Sequence, residues 1–226
     1  MNYSRGNCPQ KRFLVGIDRD GTINEDTGDY LGARPSWKDS LRFCKGAVRG
    51  LEKLTSDPGT LNVVVTNQAG IAKRVITEAR LQEVHEYMAS WLVIQGIHLD
   101  GWLYSPHATP EQAERWRTEQ GIEGYDECLV GDFRDRKPGI GMLERAAELY
   151  DARLDDLACV YVIGDRASDV ETALNAGGVG ILVNRPEHDP ETLKVCELRS
   201  EMPGRVMIAA DIAHAASLIL EDMQKY

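Results

Sequence analysis

Two carboxylates that directly follow a short apolar run are the residues of this sequence best suited to chemistry. The run Phe13-Leu14-Val15-Gly16-Ile17 leads into Asp18-Arg19-Asp20-Gly21-Thr22-Ile23-Asn24. Because side chains alternate along a strand, Asp18 and Asp20 begin on the same side, and Gly21 allows the chain to turn sharply after them. Open α/β sheets bind ligands beyond the carboxyl ends of their strands, so these acids are candidate binding residues. The alternative is an ordinary polar turn, in which Asp and Gly are common.

Three further groups of polar residues accompany predicted strands and helices later in the chain. Thr66-Asn67-Gln68-Ala69-Gly70 follows Asn62-Val63-Val64-Val65, and Gly164-Asp165-Arg166-Ala167-Ser168-Asp169 follows Val160-Tyr161-Val162-Ile163. Arg136-Lys137-Pro138-Gly139 directly precedes a predicted helix. Taken singly, each group could be a helix cap, a turn or a solvated charge. Together with the first acidic motif, these groups place complementary polar residues at four successive points of the chain. That pattern indicates a single site.

The rest of the sequence predicts the scaffold that must position these groups. Apolar, β-branched runs predict six strands, at Phe13–Asp18, Leu61–Thr66, Gly101–Ser105, Cys159–Gly164, Val179–Val183 and Val206–Ala209. Helical spacing of apolar residues predicts helices over Thr77–Gln95 with Thr77 as N-cap, over Gly139–Tyr150, over Ser168–Ala176, and after Asp211. This alternation predicts an α/β fold, a Rossmann-like parallel sheet with helices on both faces.

Two long polar stretches, Asn24–Lys45 and Pro106–Lys137, interrupt the alternation. Loops of this length in a compact domain are usually functional or lid-like. Each is too short for a large separate domain, so we expect a minimal cap made of loop insertions. Residues 1–11 are expected to form an N-terminal tail, and residues 12–226 a single domain.

Composition limits the classes of partner. The chain has 226 residues and a formal net charge of −10, which argues against nucleic acid as the main partner. Its five cysteines are an odd number, widely spaced and without a Cys-x-x-Cys pair, as expected for reduced thiols. No run approaches the roughly 18 apolar residues that a membrane span needs. We therefore expect a soluble, cytoplasmic protein with no membrane partner; the sequence does not indicate its oligomeric state.

The motifs resemble those of the haloacid dehalogenase superfamily of phosphatases. The shared order is Asp-x-Asp-Gly-Thr, strand–Thr, Lys-Pro and Gly-Asp-x-x-x-Asp, and the similarity runs from about Phe13 to Val183. Asp-Arg-Asp-Gly-Thr-Ile-Asn, Thr-Asn-Gln-Ala-Gly-Ile-Ala and Arg-Lys-Pro resemble one branch, which contains the D-glycero-D-manno-heptose 1,7-bisphosphate phosphatases and the histidinol-phosphate phosphatases. The resemblance implies that residues 12–226 form a haloacid dehalogenase-like hydrolase domain, a Mg²⁺-dependent phosphatase acting on a small phosphorylated metabolite.

The resemblance also implies a role for each acid. Asp18 would be the nucleophile that forms an aspartyl-phosphate, and Asp20 would be the general acid and then the base. Mg²⁺ would be bound by Asp18, the Asp20 backbone carbonyl and Asp165, with Asp169 supporting Asp165 or a bound water. Because a free aspartate has a pKa of ~3.9, we expect Asp18 to be ionised at neutral pH. We expect neighbouring acids to raise the pKa of Asp20, because it must hold a proton.

Five further residues are expected to contact the substrate. Thr66 and Asn67 would bond the phosphoryl oxygens, while Lys137 neutralises them and orients Asp18. Arg136 would reach a second anionic group of the substrate. Thr22 of the first motif is also expected among the substrate-binding residues.

The sequence departs from this branch at a metal site. Many members carry a zinc site in the loop before Arg-Lys-Pro, built from a Cys-x-His pair and a Cys-x-Cys pair. The corresponding positions here are Ser105-Pro106-His107 and Phe133-Arg134-Asp135, so that only His107 remains. A structural zinc site needs four ligands, commonly thiolates. We therefore expect no zinc, and His107 becomes a loop residue or a residue at the edge of the substrate site.

Several functions fit these motifs. A sugar phosphate or bisphosphate of the heptose type is the first substrate class, and histidinol phosphate is the second. A polynucleotide 3′-phosphatase shares the strand–Thr-Asn-Gln pattern, but the acidic charge balance counts against it. A non-catalytic binding protein on the same fold is a further alternative, against which the intact Asp18 and Asp20 speak.

Overall fold

A six-stranded parallel sheet forms the centre of the molecule. The computed structural model describes residues 13–226, so the expected tail and its boundary lie outside the described residues and stay predictions. The strands are β1 (Phe13–Ile17), β2 (Thr60–Asn67), β3 (Gly101–Ser105), β4 (Cys159–Gly164), β5 (Val179–Val183) and β6 (Val206–Ala209). They lie in the order β3-β2-β1-β4-β5-β6, and every neighbouring pair is parallel. The predicted α/β class and all six predicted strands are confirmed.

Helices cover both faces of the sheet. Within the described residues they are α1 (Trp37–Ser40), α2 (Ala47–Thr55), α3 (Glu78–Ile94), α4 (Pro110–Gln120), α5 (Gly141–Glu148), α6 (Ala167–Asn175), α7 (Pro190–Glu201) and α8 (Ile212–Met223). Alternate residues of β1 point to opposite faces: Val15 packs in a core with α2, α3 and α8, whereas Leu14 packs in a core with α5. Every residue of β1 is buried, as expected for a strand in a sheet that helices cover on both faces.

The predicted helix starts are confirmed by their caps. Thr77 accepts a hydrogen bond from Arg80 N at the start of α3, and Asp211 accepts one from His214 N at the start of α8. Each satisfies a backbone N–H that the first helical turn leaves without a partner. The helices predicted over Gly139–Tyr150 and Ser168–Ala176 are α5 and α6, with ends shifted by one or two residues.

The stretch 106–137 differs from the expected loop because it contains helix α4. The helix has few apolar residues, which hid its period; only Ala113 and Trp116 are buried. Its signal was the capping box, in which Thr109 accepts from Gln112 N while the Gln112 side chain accepts from Thr109 N. Pro110 at the first helical position strengthens that signal. Helices α1, α2 and α7 were also not expected, and α1 lies within the stretch 24–45 that was predicted to be a loop.

The spatial order of the strands places the candidate residues at the carboxyl ends of the central strands. β1 lies between β2 and β4, and Asp18 and Asp165 directly follow β1 and β4. The strand order reverses direction here, which is where doubly wound folds bind ligands. Among residues 13–226, none of the helices is long and apolar enough to cross a membrane.

Candidate active site

Asp18 lies at the floor of a cavity, where strand β4 and Lys137 hold it. Its backbone N donates to Ile163 O of β4 at 2.8 Å, and its Oδ1 accepts from Lys137 Nζ at 2.5 Å. The residue is buried. Burial is the main cause that raises the pKa of Asp18 to about 7, against the opposing effect of Lys137. Desolvation of the carboxylate therefore opposes the ionisation of Asp18 that is expected from the sequence at neutral pH.

Lys137 is a buried ammonium group with three oxygen atoms close to it. Its Nζ lies 2.5 Å from Asp18 Oδ1, 2.6 Å from Asp169 Oδ1 and 2.8 Å from Val65 O. Burial alone would lower the pKa of Lys137, but Asp169 and Asp18 raise it above its ordinary value. The lysine therefore stays charged and holds the two carboxylates together.

Asn67 positions Lys137 rather than standing free for a phosphoryl group. Its Oδ1 accepts from Lys137 N at 3.0 Å, and its Nδ2 donates to Lys137 O at 3.1 Å. Both ends of the amide are thus bonded to the backbone of one residue. Asn67 also lines the cavity, so a contact with a substrate would be additional to this structural role.

Three buried carboxylates converge beside Asp18. Oxygen atoms of Asp18, Asp165 and Asp169 lie within 4.8 Å of one another, and within residues 13–226 this is the place where three such side chains meet. Asp165 Oδ2 accepts from Arg185 Nη2, whereas Asp165 Oδ1 is buried and has no hydrogen-bond partner in the described part of the chain. Burial and then Asp18 raise the pKa of Asp165 to about 6. An oxygen-rich cluster with an unpartnered buried atom can hold a divalent cation.

Gly21 leaves the space that Asp165 occupies. Its φ is +82°, and a Cβ built on it would lie 2.3 Å from Asp165 Oδ2. Both the backbone conformation and the close approach therefore require glycine. The turn after the first two acids and the acid after β4 fit together only with this residue.

Asp20 is surrounded by donors instead of acids. Arg19 donates to both of its oxygens, at 3.1 and 2.7 Å, Asn24 Nδ2 donates to Oδ1 at 3.0 Å, and Gln68 Nε2 donates to Oδ2 at 2.8 Å. Burial would raise the pKa of Asp20, but the Arg19 charge and these hydrogen bonds lower it below its ordinary value. The expectation of a raised pKa for Asp20 is therefore wrong.

Arg19 and Gln68 are residues that sequence reasoning missed. Arg19 is fully buried, and its Nη1 lies 3.1 Å from His85 Nε2 of α3. Gln68 links Asp20 to Thr66, because its Nε2 also donates to Thr66 Oγ1 at 2.9 Å. That bond leaves the Thr66 hydroxyl hydrogen free to donate into the cavity. The Asp-Arg-Asp and Thr-Asn-Gln runs contained both residues, but nothing local showed which way their side chains point.

The cavity that contains this floor has a volume of about 560 Å³. Asp18, Asp20, Thr66, Asn67 and Lys137 line its inner part, and Arg136 lines it further out. Thr22 is not brought to the cavity: it is fully buried and is not among the lining residues. Arg136 Nη1 donates to His107 O at 2.6 Å, and Arg136 Nε is buried without a partner among residues 13–226.

The four positions compared with zinc ligands lie together in space. His107 Nδ1 is 3.1 Å from Ser105 Oγ and 2.9 Å from Asp135 Oδ1, and its ring stacks on Phe133 with 3.6 Å between centroids. His107 is therefore a loop residue, and its ring is not among those that line the cavity. Hydrogen bonds and one stacked ring pair join the loop ends here; the absence of zinc stays a prediction.

Comparison with known proteins gives matches over most of the chain. A family model described as HAD-hydrolase-like matches residues 135–215. A relative from Escherichia coli (strain K12), named D-glycero-beta-D-manno-heptose-1,7-bisphosphate 7-phosphatase, is 34% identical over 168 residues, which cover 74% of this chain and 76% of the relative. A relative of the same name from Rhodopseudomonas palustris (strain ATCC BAA-98 / CGA009) is 31% identical over 167 residues, covering 74% of this chain and 81% of the relative. Among solved structures, this chain is similar to D,D-heptose 1,7-bisphosphate phosphatase from B. bronchiseptica, complexed with magnesium and phosphate. The TM-score is 0.66 at 25% sequence identity, and the match covers 92% of this chain and 98% of that chain.

Proposed function

Because the chain belongs to the haloacid dehalogenase-like hydrolases, in the branch of the D-glycero-D-manno-heptose 1,7-bisphosphate phosphatases, we propose that it is a Mg²⁺-dependent phosphatase acting on a sugar bisphosphate of the heptose type. The observation that carries this proposal is the buried set of Asp18, Lys137, Asp165 and Asp169 at the floor of one cavity. A nucleophilic carboxylate, its fixed counter-charge and a cation-binding cluster are what attack on an anionic phosphate requires.

Asp18 is the nucleophile in this proposal. One of its carboxylate oxygens forms a bond to phosphorus while the bond from phosphorus to the sugar oxygen breaks, which leaves an aspartyl-phosphate. Lys137 holds Asp18 Oδ1 in one orientation and offsets part of the charge on the phosphoryl oxygens. The hydroxyl of Thr66, oriented by Gln68, donates a hydrogen bond to one of those oxygens.

Asp20 transfers the protons in both halves of the reaction. It gives a proton to the departing sugar oxygen and later takes one from the water that attacks phosphorus and breaks the Asp18–phosphorus bond. Arg19 keeps the pKa of Asp20 low, which suits the second step. The negative charge of a bound phosphate opposes Arg19 and favours the protonated form that the first step needs.

The acidic cluster fits a Mg²⁺ ion. The convergence of Asp18, Asp165 and Asp169 and the unpartnered Asp165 Oδ1 support this assignment, because Mg²⁺ prefers carboxylate and carbonyl oxygens. Asp18, Asp165 and the backbone carbonyl of Asp20 would hold the ion, with Asp169 supporting them. When bound, the ion supplies positive charge to the phosphoryl oxygens and favours the ionised form of Asp18.

A substrate panel tests the proposed function. We expect kcat/KM for D-glycero-D-manno-heptose 1,7-bisphosphate to exceed that for sugar monophosphates, histidinol phosphate and a 3′-phosphorylated oligonucleotide by at least about tenfold, the effect of one well-placed charged contact. Phosphate release in Mg²⁺ buffer measures it. A higher kcat/KM for histidinol phosphate or the oligonucleotide would replace the proposed substrate, and no release from any phosphate monoester would contradict the proposed activity.

Mg²⁺ binding can be measured without catalysis. At a concentration ~100 times its Kd, a ligand that binds only the folded protein stabilises it by about 2.7 kcal/mol, which for a chain of this size raises Tm by about 5–10 °C. We expect this rise for the wild-type protein and its loss in Asp165→Asn. Asp132→Asn, at an exposed loop position, is the matched control and should keep the rise. An equal rise in Asp165→Asn would contradict the assigned cluster.

A further inference from the structure

Several positive charges at the mouth of the cavity have no carboxylate partner. Lys73, Arg115, Arg136 and Arg166 line the cavity beyond its floor. Arg166 is paired with Asp26 at 3.2 Å, but no carboxylate forms an ion pair with the other three among residues 13–226. The acids of the mouth do not balance them, because Asp26 is paired with Arg166 and Asp29 with Arg34, which leaves Glu119. The mouth therefore has excess positive charge in a chain whose formal net charge is −10.

Lys73 is held in position without being neutralised. Its Nζ lies 5.8 Å from the centroid of the Tyr30 ring and 5.7 Å from that of the Trp116 ring. It donates to the neutral amide oxygen of Gln120 at 2.6 Å. Aromatic faces and an amide oxygen favour a positive charge between them but do not cancel it. The ammonium group is thus positioned at the mouth by neutral groups.

Helix α4 contributes Arg115, Trp116 and Gln120 to this arrangement and packs against the segment that follows β2. Trp116 of α4 is buried in a cluster with Ala69 and Ala72, which belong to the segment that follows β2 and carries Lys73. Arg115 is adjacent to Trp116 and lines the cavity, whereas Arg117 pairs with Glu114 and is not a lining residue. The helix therefore presents one arginine to the cavity and keeps the next one away from it.

We propose that Lys73 and Arg115 form an anion-binding subsite at the mouth of the cavity, which binds the second phosphate of a sugar bisphosphate while the first lies at Asp18. This inference rests on the proposed function and adds to it the residues that distinguish a bisphosphate from a monoester. A cavity of about 560 Å³ leaves room beyond the reacting phosphate for the sugar and a second charged group. Lys73 and Arg115 act on binding; the chemistry at Asp18 proceeds without contact to either.

Paired substrates measure the subsite. Lys73→Gln, Arg115→Gln and the double variant are compared on D-glycero-D-manno-heptose 1,7-bisphosphate and on p-nitrophenyl phosphate, which has a single phosphate. We expect each single variant to lower kcat/KM for the bisphosphate about tenfold more than for the aryl phosphate, mainly through KM, since each removes one charged hydrogen bond. Lys73→Arg should keep most of the preference. Arg117→Gln, on the same helix but outside the cavity, is the matched control and should behave as the wild type.

Two results would overturn the subsite: no loss on the bisphosphate, or an equal loss on both substrates. A separate titration distinguishes this from failure of the proposed function. In an Asp18→Asn background, fructose 1,6-bisphosphate should bind more tightly than fructose 6-phosphate, and the double variant should remove the difference. The wild-type protein could hydrolyse the aryl phosphate but not the heptose bisphosphate. In that case tighter binding of fructose 1,6-bisphosphate would still support the subsite, and only the proposed sugar of the substrate would be wrong. Equal binding of the two fructose phosphates would refute the subsite.

Discussion

Replacing Asp18 with Asn is expected to lower kcat for phosphate release by at least about 10⁴-fold, the scale on which loss of a nucleophile acts in enzymes with covalent intermediates. The amide has nearly the shape of the carboxylate, so the β1 end and the Lys137 contact at 2.5 Å can be retained. An amide oxygen is nevertheless too weak a nucleophile to form the phospho-enzyme. Release of phosphate from p-nitrophenyl phosphate in Mg²⁺ buffer measures the effect.

A buried aspartate outside the cavity provides the control for this variant. Asp222 is buried and accepts from Tyr161 Oη at 2.9 Å, and Asp222→Asn keeps an acceptor oxygen there. We expect this variant to retain kcat within about threefold, because a change remote from the reacting groups acts mainly on stability. Substantial activity of Asp18→Asn, in a protein whose melting temperature shows it to be folded, would remove Asp18 from the nucleophile position.

The scaffold and the places of the main acids could be predicted because their signals are local. A buried parallel strand is a short apolar run, and the residue that follows the run must lie at the sheet edge. Asp18 and Asp165 were therefore located once β1 and β4 were recognised, and they meet because the strands are neighbours. The role of Lys137 could be predicted only from the family resemblance, since nothing near it in sequence indicates that its Nζ reaches Asp18, 119 positions away.

What the sequence did not indicate depends on contacts between distant segments. The pKa of Asp20 is lowered because Arg19 turns into the protein beside His85, 66 positions away, and donates to Asp20. The direction of the Arg19 side chain is set by that packing, so a motif alone leaves it open. Helix α4 was missed for a different reason. Its surface is polar, and Trp116 is buried in a cluster with Ala69 and Ala72 of the segment after β2, together with Ala113 of its own helix.

Replacing Lys137 with Met is expected to reduce both activity and stability. The substitution removes the counter-charge between Asp18 and Asp169 and leaves both carboxylates buried. Breaking a buried ion pair by removal of one partner costs about 3–5 kcal/mol of the free energy of unfolding. Loss of a charged group that stabilises the transferring phosphoryl is worth about 10²–10³-fold in kcat. Urea unfolding in EDTA measures the first effect, and phosphate release in Mg²⁺ measures the second.

A compensating change separates the two roles of this lysine. The double variant Lys137→Met/Asp169→Asn has one fewer buried carboxylate without a counter-charge. A large part of the lost free energy of unfolding should therefore return. Activity should not return, because the phosphoryl oxygens still lack the ammonium charge and Asp18 is no longer held through Nζ. Because Asp169 belongs to the acidic cluster, the double variant is compared with Asp169→Asn alone: a purely structural lysine would bring both kcat and stability back to the level of that single variant. Recovery of kcat along with stability in the double variant would show that Lys137 acts only by keeping the floor of the cavity folded.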